Sequence, residues 1–359
     1  MTQSLLVVMP DGAARGITPE TPVAGLSLGR RISLAAERAG LATVHSSEPG
    51  PRRLILVPTS VIPQTQWLRA LAAMPLPPET LWIDPAHVAV VETSDPKPVL
   101  DLAGRACGAA ECVAALRERF GVVEGAADDR GRFPLRGAED LEAAESWLLR
   151  SLIKDTEGFM SRHVERRISL ALTRRLVRSS VTPNAMTLVS LAIGMAAAPF
   201  FLSAAPRFQL AGALLFLLHS ILDGCDGEIA RLKFLESPGG AALDFWGDNT
   251  VHVTVFGCMA VGWSHAAQSA LPLALGAFAI AGTLLAAFVV APHMVGPPAP
   301  PARTAGARAA DALANRDFIY LIIALSAFGK ASWFIVFVAI GTPIFVFVRL
   351  WADRQQTGR

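Results

Sequence analysis

Apolar runs recur six times in the second half of this chain, at about 185–202, 208–222, 241–262, 270–291, 318–328 and 331–350. A bilayer core takes roughly 20 helical residues to cross, so a chain with this many such runs folds among membrane lipids. The second and fifth runs are short alone. Their helices are expected to project into the cytoplasm, the second through the acidic stretch up to Arg231 and the fifth through 311–317. Six spans put both termini on one side. Arginines gather before the first span, at Arg303, Arg308 and Arg316, and at Arg349 and Arg354, whereas the opposite loops offer little beyond Arg207 and Lys330. The positive-inside rule makes the arginine-rich side cytoplasmic. The expectation is a multi-pass protein of the cytoplasmic (inner) membrane, with both termini inside and a mobile Pro/Ala/Gly-rich loop at 292–308.

Mean hydropathy is +0.42 and 52% of residues are hydrophobic, too apolar for an ordinary soluble enzyme, yet the long apolar runs begin only after residue 180. Two regions follow, 1–145 and 146–359. In the first, short apolar runs at 5–9, 41–45, 54–57 and 88–91 read as buried strands, and 28–39, 66–73 and 112–120 read as helices between them. That alternation predicts an α/β domain with a largely parallel sheet. The loop at 10–16 could present backbone N–H groups to a phosphate. A net charge of +2 calls for no nucleic acid. Cys107, Cys112, Cys225 and Cys258 are scattered, which indicates neither zinc nor a disulfide framework. The opening residues lack a basic n-region, so no cleaved signal peptide is expected.

Residues 158–180 form a basic connector. Ile168, Leu172 and Leu176 recur every fourth residue, and Arg162, Arg166, Arg167, Arg174, Arg175 and Arg178 supply charge. Such a helix suits an anionic membrane interface. Thr182 as N-cap and Pro183 in the first turn then start the first span.

Four carboxylates, Asp223, Asp226, Asp244 and Asp248, lie in DGCDGEIARLKFLESPGGAALDFWGD, at the junction of the second and third apolar runs. Ionised groups at the edge of a hydrocarbon span are expensive, which points to a functional site. On a helix, Asp223, Asp226, Gly227, Ala230 and Arg231 share one face, and after the break at 237–239 a second helix aligns Gly240, Asp244 and Asp248. Acids packed together repel, and a hard divalent cation neutralises them. A channel lined by acids fits less well, since Arg231 on the same face opposes a cation path.

The pattern D-x-x-D-G-x-x-A-R, eight residues, then G-x-x-x-D-x-x-x-D resembles the signature of the CDP-alcohol phosphotransferase family, with Asp223, Asp226, Gly227, Ala230, Arg231, Gly240, Asp244 and Asp248 at its fixed positions. The resemblance implies an all-α six-helix transmembrane domain with an interfacial helix, and two Mg²⁺ or Mn²⁺ ions held by Asp223, Asp226, Asp244 and Asp248. It implies Asp248 as the base, and Asn184, Thr187, Gly227, Arg231 and Ser237 around the nucleotide. The partners implied are a CDP-alcohol donor and an alcohol-phosphate acceptor, and a homodimer is compatible with it. The layout resembles proteins that fuse a sugar-phosphate cytidylyltransferase to such a domain, so 1–145 reads as a nucleotidyltransferase-like domain. Those domains use a lysine on the first loop and a strand-end aspartate. Here no lysine precedes Lys97, and the strand at 54–57 runs into Pro58, Thr59 and Ser60. The domain is expected to keep the fold and to have lost the chemistry; the competing reading uses Arg15 and Asp84 instead.

His219 and His252 stand one turn from Asp223 and Asp248 and read as packed histidines or as partners of a carboxylate. Arg316 reads as an anchor for an acceptor phosphate or as a topology anchor. Three function classes stay open: an inositol-phosphate type phosphotransferase, a CDP-diacylglycerol-dependent phospholipid synthase, and a membrane transporter or scaffold.

Overall fold

The computed structural model describes residues 3–10, 16–43, 52–124, 130–153, 158–294 and 318–357. The chain divides into two compact units, Met1–Arg150 and Ser151–Arg359.

In the first unit, β1 (Gln3–Met9) is followed by a small hairpin of β2 (Pro22–Val23) and β3 (Leu26–Ser27), then α1 (Leu28–Ala39), β4 (Ala42–Thr43), β5 (Arg52–Pro58), β6 (Val61–Pro63) and α2 (Thr65–Ala73). Next come β7 (Thr80–Ile83), β8 (Ala89–Thr93), α3 (Lys97–Arg105), α4 (Ala109–Arg117), β9 (Gly121–Glu124), β10 (Arg132–Pro134) and α5 (Leu141–Arg150). Six strands form one sheet in the order β4-β1-β5-β8-β7-β9. β1 is parallel to β4 and β5, and β9 to β7, but β8 runs antiparallel to both its neighbours. The sheet is therefore mixed, where a largely parallel one was expected. The cause is local. Asp84 accepts hydrogen bonds from the N–H groups of Ala86 (2.8 Å) and Val88 (3.0 Å), closing a turn far too short for a parallel crossover. Leu54, Leu56, Leu81 and Val91 of the sheet bury against Val99 of α3 and Cys112 and Leu116 of α4. Residues 11–15 of the candidate phosphate loop, Arg15 included, and 44–45 of the expected strand lie outside the described residues.

In the second unit, a π-turn at Ser161–Glu165 leads into α6 (Arg166–Leu176). Six helices follow among the described residues: α7 (Pro183–Ala197), α8 (Pro206–Lys233), α9 (Pro238–Ala267), α10 (Leu271–Met294), α11 (Phe318–Ala327) and α12 (Trp333–Thr357). Four stretches, Pro183–Leu202, Pro206–Lys233, Leu271–Pro292 and Trp333–Trp351, are long and apolar enough to cross a membrane. The two remaining helices differ for readable reasons: α9 carries Asp244, Asp248, Asn249 and His252 in its first half, and α11 has ten described residues. Phe278, Phe288 and Phe347 point outward, 56%, 63% and 72% exposed, as side chains facing lipid do. Phe201, Phe216, Val255 and Ile322 fill the interior. α8 runs unbroken to Lys233, through Asp223, Asp226 and Arg231. The loop residues Arg303, Arg308 and Arg316, and the stretch 311–317, lie outside the described residues.

The inner face of α6 departs from the expected apolar stripe. Ile168 is half exposed, while Ser169 and Thr173 are buried. Leu172 and Leu176 pack against Met186, Cys225 and Ile229.

Candidate active site

α8 and α9 form a helical hairpin whose turn is written in the sequence. Phe234 adopts a left-handed conformation (φ 57°) that ends α8, and Leu235 N–H returns to the Ala230 carbonyl at 2.8 Å. Ser237 then caps α9, its Oγ accepting from Gly240 N–H at 3.0 Å, with Pro238 in the first turn. The reversal turns the acid-bearing faces of the two helices toward each other. Carboxylate oxygens of Asp223, Asp226 and Asp244 converge within 4.8 Å of one another. Asp223 and Asp226 are buried, 4% and 5% exposed.

Asp248, the fourth predicted acid, is not a member of this convergent group. Its Oδ1 lies 3.5 Å from His219 Nε2, and His219 Nδ1 is 2.9 Å from the Ser190 carbonyl of α7. His219 is thus a partner of an acid. His252 instead sits among the rings of Phe216, Phe256 and Phe318.

α7 closes the third wall. Thr182 caps it, accepting from Ala185 N–H at 3.3 Å, which brings Asn184 and Thr187 to the first two turns. The Thr187 hydroxyl donates to Asp226 Oδ2. Asn184, Thr187, Gly227, Arg231 and Ser237, with Asp226, Gly240 and Asp244, line one cavity of about 210 Å³. A Cβ on Gly227 would stand 3.2 Å from Arg231 Nη1, so glycine here gives the guanidinium its place. All five residues expected around a nucleotide therefore line one space with two of the acids.

The donor set suits a hard divalent cation. Three carboxylates supply oxygen ligands, and Asp244 Oδ1 is buried with no hydrogen-bond partner among the described residues, an atom whose lone pairs are available to a metal.

Sequence reading missed one residue of this region. Glu228 is wholly buried and accepts from Arg166 Nη1 (2.6 Å), Ser169 Oγ (2.7 Å) and Thr173 Oγ1 (2.6 Å) of α6. The signal was there in the i, i+4, i+8 stripe Ser220, Gly224, Glu228, which turns away from the acids.

In the first unit, Asp84 pairs with Arg132 Nε at 2.5 Å, both side chains at most 3% exposed. Burial pushes the Asp84 carboxyl up, and the Arg132 guanidinium and the Val88 and Ala86 amides oppose that shift. The Thr59 hydroxyl at the end of β5 donates to the Met9 carbonyl at 2.8 Å.

Four helices long and apolar enough to cross a membrane, and three carboxylates converging at a helix hairpin, mark a membrane-protein unit whose donor set could hold a divalent cation. Residues 180–352 match the CDP-alcohol phosphatidyltransferase family, and the chain carries a domain of that family. Over 107 residues it is 43% identical to the bifunctional IPC transferase and DIPP synthase of Thermococcus kodakarensis, covering 30% of this chain and 24% of that one. Over 75 residues it is 37% identical to the CDP-diacylglycerol–serine O-phosphatidyltransferase of Mycobacterium bovis, covering 21% and 25%. The chain thus spans about a quarter of the length of each. The crystal structure of Mycobacterium tuberculosis phosphatidylinositol phosphate synthase with CDP-DAG bound overlays with a TM-score of 0.37 at 19% identity, over 52% of this chain and 93% of that one.

Proposed function

We propose that the protein is a metal-dependent membrane transferase that moves a substituted phosphate from a CDP-alcohol to an acceptor alcohol and releases CMP. The acceptor in this reading is a phosphorylated polyol such as inositol phosphate. One observation carries it: two of the acids, Asp226 and Asp244, and the five residues expected around the nucleotide, Arg231 among them, line a single cavity between α7, α8 and α9. Asn184, Thr187, Gly227 and Ser237 hold the nucleotide, and Arg231 pairs with phosphate oxygens. Asp248 takes the proton from the acceptor hydroxyl. The acceptor oxygen then bonds to the alcohol-side phosphorus, the bond from that phosphorus to the bridging oxygen breaks, and CMP leaves with that oxygen. Asp223, Asp226 and Asp244 hold Mg²⁺ or Mn²⁺, which when bound neutralises the diphosphate. In the two-ion arrangement that the signature implies, Asp248 completes the set. The domain sits as six spans in the cytoplasmic membrane, its site and both termini facing the cytoplasm, and homodimers are compatible with this reading.

The first unit is proposed to be nucleotidyltransferase-like and inactive, since Asp84, the acid offered in place of the missing aspartate, is committed to Arg132 and to its own turn. A second reading, a CDP-diacylglycerol-dependent phospholipid synthase, draws support from Leu235, which lines the cavity and is 50% exposed. The test of the site is substitution. Asp223→Asn, Asp226→Asn, Asp244→Asn and Asp248→Asn should each abolish CMP release from protein that remains folded, and full activity in any of them removes that residue from the mechanism.

A further inference from the structure

The helix segment that carries Asp223 and Asp226 has a second face, and that face is also polar. Ser220, Gly224 and Glu228 recur every fourth residue along it and meet α6 and the π-turn before it. Ser220 Oγ donates to Glu165 Oε2 at 3.1 Å, and Glu228 accepts from Arg166, Ser169 and Thr173. α6 passes close to this face at Gly224, where a Cβ would stand in ordinary van der Waals contact, 3.4 Å from Arg166 Nη1 and 3.8 Å from Ser169 Cβ. Cys225 Sγ adds a contact at 3.6 Å to the Ser169 carbonyl.

A charge at 0% exposure within an apolar helical unit is costly unless it is paired and its lone pairs are filled. Here one guanidinium and two hydroxyls satisfy it, all three from one helix and spaced at i, i+3 and i+7. Such a set has one good register. If α8 rotated or slid, Glu228 would lose its donors, and Asp223 and Asp226 would leave their convergence with Asp244.

We propose that Glu228 is a positioning residue, clamped by Arg166, Ser169 and Thr173, that fixes the rotation and height of the α8 segment presenting Asp223 and Asp226 to the metal and donor. This rests on the reading of the α7–α8–α9 cavity as the active site. Glu228 touches none of the reacting groups and acts through the helix.

The test uses the full-length protein in detergent with two readouts, Mn²⁺ affinity by electron paramagnetic resonance and CMP release per folded molecule. Glu228→Gln should weaken Mn²⁺ binding and lower kcat by roughly 10–100-fold each, the range seen when groups behind metal ligands are lost, with a smaller change in donor KM. Arg166→Ala should follow it, and Arg166→Lys, which retains the charge, should recover most of both. A merely structural role would lower the melting temperature and leave Mn²⁺ affinity and kcat per folded molecule at wild-type values, and that result overturns the proposal. Should Glu228→Gln fail to fold, Thr173→Val decides: losing one of three hydrogen bonds should reduce both readouts in the same direction, and wild-type values reject the clamp. Wild-type protein that binds Mn²⁺ but releases no CMP refutes the assigned reaction, while the Mn²⁺ series still decides for or against Glu228.

Discussion

Asp244→Asn should make the metal-free protein more stable while destroying its site. Three carboxylates whose oxygens lie within 4.8 Å of one another repel, when all are ionised, by about 3.5 kcal/mol per pair at an effective dielectric constant near 20. Asparagine at 244 removes two of the three pairs. Relaxation and water penetration leave an expected gain of about 1–2 kcal/mol. The reverse holds with metal. At a hundred times its dissociation constant, a ligand that binds only the folded state adds about 2.7 kcal/mol, and the variant should gain almost none of that. The assay is thermal unfolding of purified protein in detergent, with chelator and then with Mg²⁺ or Mn²⁺. Wild type should melt below Asp244→Asn in chelator and above it in metal. A variant less stable than wild type in chelator, or equal stabilisation of both by metal, would refute the view that these acids are held together for a cation.

Asp84→Asn should cost about 3–5 kcal/mol in the first unit, because it removes the carboxylate paired with the buried Arg132 guanidinium; hydrogen exchange followed by mass spectrometry over β5, β7 and β8 should show faster exchange there. Ser237→Ala removes the α9 cap and should cost about 1 kcal/mol, read as faster exchange at 238–241 and a raised donor KM. Arg231→Ala should raise donor KM far more than acceptor KM, and Arg316→Ala the reverse; equal effects of Arg316→Ala on both substrates would leave it a topology anchor.

Local chemistry decided what could be read in advance. The α8–α9 hairpin was legible because helix spacing, a Ser-Pro-Gly break and two i+4 series act within 26 residues. The cavity could be anticipated only through family resemblance, since no periodicity links Asn184 to Ser237. β7 was missed because it offers only three apolar residues, Leu81, Trp82 and Ile83, between two proline-containing turns, and with it went the hairpin that makes the sheet mixed. The inner face of α6 was misjudged for a different reason. Its apolar residues do recur every fourth position, but the partner they meet presents a buried carboxylate, and the hydroxyls of Ser169 and Thr173 outweigh Ile168 in choosing which side turns in. Asp248 illustrates the same limit. Its spacing aligns it with Asp244, and its Oδ1 also lies 3.5 Å from His219 Nε2 on another helix, a contact that spacing along one helix does not give.

The measurement closest to the central claim is CMP release by the purified, full-length protein with Mg²⁺ or Mn²⁺, supplied with CDP-inositol or CDP-diacylglycerol and a panel of free and phosphorylated polyols. The account predicts metal-dependent CMP release that requires both a CDP-alcohol and an acceptor, is fastest with a phosphorylated polyol, and is lost in Asp226→Asn. Absence of CMP release across the panel from protein that binds Mn²⁺, or release that persists in Asp226→Asn, would contradict it.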